Sequence, residues 1–216
     1  MQSLNFQGIW YAAYVCLVDR SMAIPHYFIN NLTLIDPEKL KEKGIQGVVF
    51  DKDNTLTEPY NLQIHTRVKV SFERFKTTFG PEKLAIMSNS AGSSDDLKNE
   101  YKEAESIESA LGIGVIRHDT KKPGGIDAIR EYFGEGIFPV DLACVGDRLL
   151  TDIAFGNRYG MLTFHTQALT NRGDNRMAAY FREWETKRVK KWIKEGHEAP
   201  FHKLYCRDIC FLEGSL

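Results

Sequence analysis

The chain has 216 residues, enough for one domain with a substantial core plus added elements, or for two small domains at most. Its 43% hydrophobic and 26% charged residues are ordinary for a soluble globular protein, and a net charge of -1 excludes a global field for nucleic acid or a membrane surface. Any such partner needs a local patch. Cys16, Cys144, Cys206 and Cys210 fit neither a zinc spacing nor a disulfide framework and read as free thiols in a reducing compartment.

Residues 1–8 lack the basic n-region of a secretory leader, and no Arg-rich, acid-poor transit peptide is evident. The apolar run over 9–18 is about half the length a bilayer span needs. Residues 4–34 are rich in aromatics, and Pro25 argues against one long helix there. Two readings stay open for this segment: a helix packed on the core, or an interfacial element, since Trp and Tyr favour the headgroup zone. Residues 1–43 are thus expected to form an N-terminal helical segment, a candidate for membrane docking.

Asp36-Pro37 supplies a cap and first-turn proline for a short helix over 34–43, which Gly44 stops. Residues 45–50 form the first expected strand, an apolar run delivering Asp51 and Asp53 at its end. Val68, Phe72 and Phe75 at helical spacing predict a helix over 66–79. A second strand over 84–87 ends in Ser88-Asn89, and the highly charged 93–112 stretch reads as a solvated helix. A third strand over 113–116 leads into Arg117-His118-Asp119-Thr120-Lys121-Lys122-Pro123, and a short helix follows over 126–133. A fourth strand over 141–145 ends in Gly146-Asp147-Arg148-Leu149-Leu150-Thr151-Asp152, with a helix over 151–158 and a fifth strand over 161–164.

Strands alternating with helices predict an α/β fold, a Rossmann-like doubly wound parallel sheet, over residues 44–170. Residues 171–216 form a basic, aromatic helix and tail, expected to pack on the core. Its Arg182, Lys187, Arg188, Lys190, Lys191 and Lys194 surround Phe181, Trp184 and Trp192. Such a helix is either a solvated face or a membrane-surface element; Trp10, Trp184 and Trp192 beside lysines and arginines motivate the second reading.

Four strand ends carry polar residues of different kinds, and each suits one task in phosphoryl transfer. Asp51 can act as a carboxylate nucleophile, splitting one hard step into two. Asp53, two residues on, can protonate the leaving alkoxide and then deprotonate water. A hard cation such as Mg2+ prefers oxygen ligands, which Asp51, Asp147, Asp152 and a backbone carbonyl of Asp53 can offer. Ser88 and Asn89 can hold the remaining phosphate oxygens, and Lys122 can neutralise charge on nucleophile and phosphate. Arg117, His118 and Arg148 are further candidate substrate contacts near the motifs, or else members of surface salt bridges. Lys52, between the aspartates, is a candidate substrate contact or a residue meeting only solvent.

In this order the motifs Asp51-Lys52-Asp53-Asn54-Thr55, Ser88, Lys122 and Gly146-Asp147…Asp152 resemble the haloacid-dehalogenase-like phosphohydrolases. Together with Ser88-Asn89-Ser90-Ala91-Gly92 and Arg117-His118-Asp119-Thr120-Lys121-Lys122-Pro123, these stretches look like the mitochondrial phosphatidylglycerophosphate phosphatases of fungi and plants. That resemblance implies an Asp51 nucleophile, an Asp53 acid/base, Mg2+ as cofactor and phosphatidylglycerophosphate as an anionic phospholipid substrate on the route to cardiolipin. It also implies a peripheral enzyme of the mitochondrial inner membrane, on the matrix side. No nucleic-acid partner is expected, and oligomerisation stays open.

Spacing adds an independent argument. Only 36 residues separate Asp51 from Ser88 and 33 separate Ser88 from Lys122. Connections of an α/β unit take up most of both, so no sizeable cap domain fits. An uncapped site suits a phosphate carried on a lipid or a protein, because small-metabolite phosphatases need a cap to exclude water.

Overall fold

The computed structural model describes residues 6–170 and 176–205; the expectations placed on 1–5, on 171–175 and on Cys206 and Cys210 lie outside the described residues. Six parallel strands form one sheet: β1 (Tyr27–Ile29), β2 (Gly47–Phe50), β3 (Leu84–Ile86), β4 (Gly114–Val115), β5 (Leu142–Gly146) and β6 (Leu162–Thr166). Their order is β1-β6-β5-β2-β3-β4. Strands β2 to β5 and β6 are buried along nearly their whole length, as both faces of a doubly wound sheet require. The chain winds outward from β2 through β3 to β4, then returns to β5 on β2's other side. The β2/β5 boundary is therefore the topological switch point, the crevice where such sheets bind ligands.

The helices are α1 (Phe6–Leu17), α2 (Pro37–Glu42), α3 (Lys69–Phe79), α4 (Ser94–Leu97), α5 (Lys102–Leu111), α6 (Ile126–Phe133), α7 (Ala154–Arg158) and α8 (Arg176–Lys194). On one face of the sheet Phe72, Phe75 and Phe79 of α3 and Ile107 and Leu111 of α5 pack on Val48, Phe50 and Ile86. On the other face Ile129 and Phe133 of α6 and Phe155 of α7 meet Val49, Ala85 and Cys144. Glycine is required where α6 crosses: a Cβ at Gly47 would lie 2.6 Å from the Phe133 ring and 2.8 Å from the Lys83 carbonyl. No inserted domain interrupts the β2–β3 or β3–β4 connection, as the short gaps predict.

Three local expectations are corrected. The 93–112 stretch is two helices rather than one: buried Asp96 accepts from the Gly92, Glu103 and Ala104 amides, and Tyr101 turns left-handed between them. β1 is a sixth strand at the sheet edge, paired with β6; at three residues, close after Pro25, it carries no periodic signal. Trp192 is 3% exposed and so is no membrane candidate. It shares a cluster with Val15 of α1, Ile24, Leu149, Leu150, Ile153 and Val189 of α8. Among the described residues, no helix is long and apolar enough to cross a membrane. Cys16 and Cys144 are free thiols.

Candidate active site

The end of β2 is fixed to its neighbour before the site begins: the Asp51 amide donates to the Val145 carbonyl at 2.8 Å. Asp51 thereby leaves β2 beside Asp147, which leaves β5. Oxygens of Asp51, Asp147 and Asp152 lie within 4.8 Å of one another. Asp152 joins from a π-helical turn, Leu149–Ile153, and reaches back over Gly146. A Cβ at Gly146 would sit 2.6 Å from Cγ and Oδ2 of Asp152, so only glycine admits that approach.

Lys122 completes the cluster from the loop after β4. Its Nζ donates to Asp51 Oδ1 at 2.7 Å and to Asp152 Oδ1, and its own amide donates to Asn89 Oδ1 at 2.9 Å. Burial works against the charged ammonium, but Asp152 and Asp51 more than offset it and raise its pKa. Burial chiefly raises Asp51 to about 6, with Asp152 and Asp53 adding and Lys122 opposing. Asp147 is pushed well above the usual carboxylate range by burial, then by Asp51 and Asp152. Three carboxylates gathered this closely, Asp51 and Asp147 with pKa values raised by burial and then by their acidic neighbours, are a hard-oxygen donor set that a divalent cation would relieve. Among the described residues this is the one such cluster, and it fits Mg2+ by donor chemistry.

Asp53 does not turn its carboxylate into this set. Its Oδ1 accepts from Lys52 Nζ and from the Tyr60 amide at 3.2 Å, and the side chain stays 35% exposed. Any metal contact from Asp53 would use its main-chain carbonyl. Lys52 is not solvent-facing: it is 3% exposed and also donates to Thr57 Oγ1 (3.3 Å) and the Asn61 carbonyl (3.0 Å). Its charge organises the loop that carries Asp53.

Ser88 is buried at the end of β3. Its Oγ lies 3.2 Å from Ser90 Oγ, and its carbonyl accepts from His118 Nε2 at 2.7 Å. Burial lowers the His118 pKa, so the ring supports the Ser88 loop as a neutral donor. Arg117 is engaged elsewhere, donating to both Glu108 oxygens and to the Val115 carbonyl (2.6 Å). Both residues line a cavity of about 1010 Å3 that lies between α1 and the 117–128 segment.

Two positions in contact with the site's carboxylates and loops escape the strand-end motifs. Arg182 of α8 donates to Asp147 Oδ2 at 2.6 Å. With the Asn54 amide oriented to donate to the Thr170 carbonyl, the Asn54 oxygen accepts from Arg182 as well, at 3.2 Å. One turn on, buried Glu185 takes Arg148 NH2 at 2.8 Å and the Leu149 amide at 2.9 Å. Arg148 is thus committed to α8. The signal was present as spacing: Arg182, Glu185, Val189 and Trp192 fall on one helical face and continue into the core.

The family model described as mitochondrial PGP phosphatase matches residues 7–170. The chain belongs to this family. It is 40% identical over 204 residues to phosphatidylglycerophosphate phosphatase 1, chloroplastic/mitochondrial, of Arabidopsis thaliana, covering 94% of this chain and 58% of that protein. It is also 40% identical to phosphatidylglycerophosphate phosphatase 1, chloroplastic, of Chlamydomonas reinhardtii, covering 96% of this chain and 76% of the relative. Phosphatidylglycerophosphatase GEP4, mitochondrial, of Saccharomyces cerevisiae is 39% identical over 120 residues, covering 54% of this chain and 64% of that protein. The chain therefore spans less than two thirds of the Arabidopsis and yeast relatives. The family match takes in β1 through β6 and every strand-end motif, and stops short of α8.

Proposed function

We propose that the chain is a Mg2+-dependent phosphatase that hydrolyses phosphatidylglycerophosphate to phosphatidylglycerol and phosphate through an aspartyl-phosphate intermediate. The observation that carries the chemistry is the Asp51–Lys122–Asp152 cluster at the switch point, with Asp147 beside it. The printed names of the relatives support the substrate.

At neutral pH an Asp51 carboxyl near 6 is mostly ionised and can attack phosphorus. The phosphorus–oxygen bond to the lipid breaks as the Asp51–phosphorus bond forms, and Asp53 gives its proton to the departing alkoxide. Asp53 then takes a proton from water, whose oxygen attacks phosphorus and releases Asp51 and inorganic phosphate. Lys122 keeps a positive charge against Asp51 throughout, while Ser88 and Asn89 lie at the loop that would hold the non-transferred oxygens. Asp51, Asp147, Asp152 and the Asp53 carbonyl would hold Mg2+, which when bound neutralises phosphate charge. The same reading places the enzyme as a peripheral protein on the matrix side of the mitochondrial inner membrane.

The test is phosphate release from phosphatidylglycerophosphate in mixed micelles, from sugar phosphates and from phosphopeptides, with and without Mg2+. Lipid turnover that dominates and needs Mg2+ is expected. Faster turnover of soluble phosphates would replace the lipid reading with a phosphoprotein or sugar-phosphate one. Asp51→Asn should lower turnover at least roughly a thousandfold while circular dichroism stays unchanged; a variant that still turns over would sink the covalent mechanism.

A further inference from the structure

We propose that the outward face of α8 is the surface by which the enzyme docks on an anionic bilayer, holding the catalytic centre against the membrane. This rests on the lipid-substrate reading above and names the partner surface of that same site.

The helix divides cleanly by face. Arg182, Glu185, Val189 and Trp192 turn inward, onto Asp147, the Arg148 loop and the core. Tyr180 and Trp184 lie on the opposite stripe, which Lys187 and Lys191 continue toward the C-terminal end, with Phe181 and Arg188 on its flank. The three aromatics are 63%, 47% and 37% exposed, and Tyr180 and Phe181 pair edge-to-face. A helix covering an enzyme and facing only water would carry polar residues there. Large rings in a row on an exposed stripe, bordered by charge, mark a surface that meets an apolar phase.

The charge identifies that phase. Lys187, Arg188, Lys190, Lys191 and Lys194 lie just beyond the rings and are all exposed, against Glu183 as the exposed acid among the helix's described side chains and Glu195 just past its end. The Arg188 guanidinium sits over the Trp184 ring at 5.6 Å. Rings that enter the headgroup boundary beside cations that meet lipid phosphate are the pattern of an interfacial helix. The whole chain carries only -1, so this attraction is local to α8. A second copy of the chain fits less well, since a two-fold pairing of this face would set its own cations against one another.

Position completes the argument. Phe181 is the neighbour of Arg182, whose guanidinium holds the Asp147 carboxylate. A bilayer touching the aromatic stripe therefore lies about one helix diameter, roughly 10 Å, from the metal-binding carboxylates.

The experiment is vesicle flotation of three proteins: wild type, Tyr180→Ser/Phe181→Ser/Trp184→Ser, and Lys187→Gln/Lys191→Gln/Lys194→Gln. Wild type should float with phosphatidylcholine–phosphatidylglycerol vesicles and not with pure phosphatidylcholine. The aromatic variant should lose at least roughly tenfold in binding. The lysine variant, which changes only exposed groups and keeps the fold in any event, should lose its preference for anionic lipid. Hydrolysis of soluble p-nitrophenyl phosphate should be unchanged in both. Equal flotation of all three proteins would overturn the proposal. So would a wild type that binds no anionic vesicle, or one that is a dimer made monomeric by the aromatic substitutions. Flotation does not depend on turnover, so a protein that floats as expected yet leaves phosphatidylglycerophosphate intact counts against the substrate reading alone.

Discussion

Lys122 is placed between two carboxylates, Asp51 and Asp152, and donates to both. Its contacts with them allow the proposed nucleophile and a proposed metal ligand to sit side by side. Lys122→Met removes the shared partner of both, so an uncompensated buried pair should cost roughly 3–5 kcal/mol and abolish turnover. Urea unfolding without metal measures the first effect and phosphate release the second. A variant as stable as wild type would show that the two acids had taken up protons at little cost.

A second residue-scale test lies away from the site. His26 bridges Thr163 Oγ1 (2.7 Å) and the Pro200 carbonyl (3.0 Å), and burial, with His202 adding, lowers its pKa from 6.5 to about 4. The unfolded chain takes up that proton near 6.5 and the folded chain only near 4. Stability is therefore full above 6.5 and falls as pH drops toward 4, by about 1.4 kcal/mol per pH unit for this one group. His26→Gln should be less stable at neutral pH and show a shallower loss between pH 6 and 5, on the order of one proton less. Parallel pH profiles of the urea midpoint for the two proteins would contradict this assignment.

At the scale of elements, α8 is the part the sequence reveals least. Its charges count equally for a solvated face, a membrane helix or a catalytic clamp, and only which face meets the core decides among them. Asp51, Ser88, Lys122 and Asp147 were legible because each follows a short apolar run, and a parallel sheet gathers the ends of such runs. Arg182 and Glu185 follow no strand, so strand-end reasoning missed them, although their spacing with Val189 and Trp192 marks one helical face. Arg117, His118 and Arg148 looked alike as extra cations; structure alone shows one on Glu108, one on the Ser88 carbonyl and one on Glu185.

The clamp gives its own prediction. Arg182→Ala leaves Asp147 buried beside Asp51 and Asp152 without its guanidinium, so the metal-free protein should lose roughly 3 kcal/mol. Added Mg2+ should then raise its melting temperature by more than it raises that of wild type, because the ion meets an uncompensated carboxylate. Equal Mg2+-induced shifts would mean that Arg182 has no bearing on the metal site.

For the whole molecule, fold class was legible and the edge was not. Alternating apolar runs and helical patterns announce a doubly wound sheet, and the short gaps after Asp51 and Ser88 rule out an inserted cap. The edge strand β1 depends on pairing with β6, distant in the chain, and three residues give local reasoning nothing to grip. Packing between layers is equally global: Gly47→Ala, harmless to read in sequence, drives a methyl into the Phe133 ring and the Lys83 carbonyl. It should cost about 1–3 kcal/mol in urea unfolding, with a phosphatase of unchanged Mg2+ dependence in the surviving folded fraction.

The grip of α8 on the loop after β5 also bears on how the protein is made. Every residue that a motif search would mark has been synthesised by position 152, and the last strand by Thr166. Arg182 and Glu185 come later still. A chain emerging from the ribosome, or one stalled or cut short before residue 176, thus holds the full set of candidate catalytic residues with no hand on Asp147 or on the turn that carries Asp152.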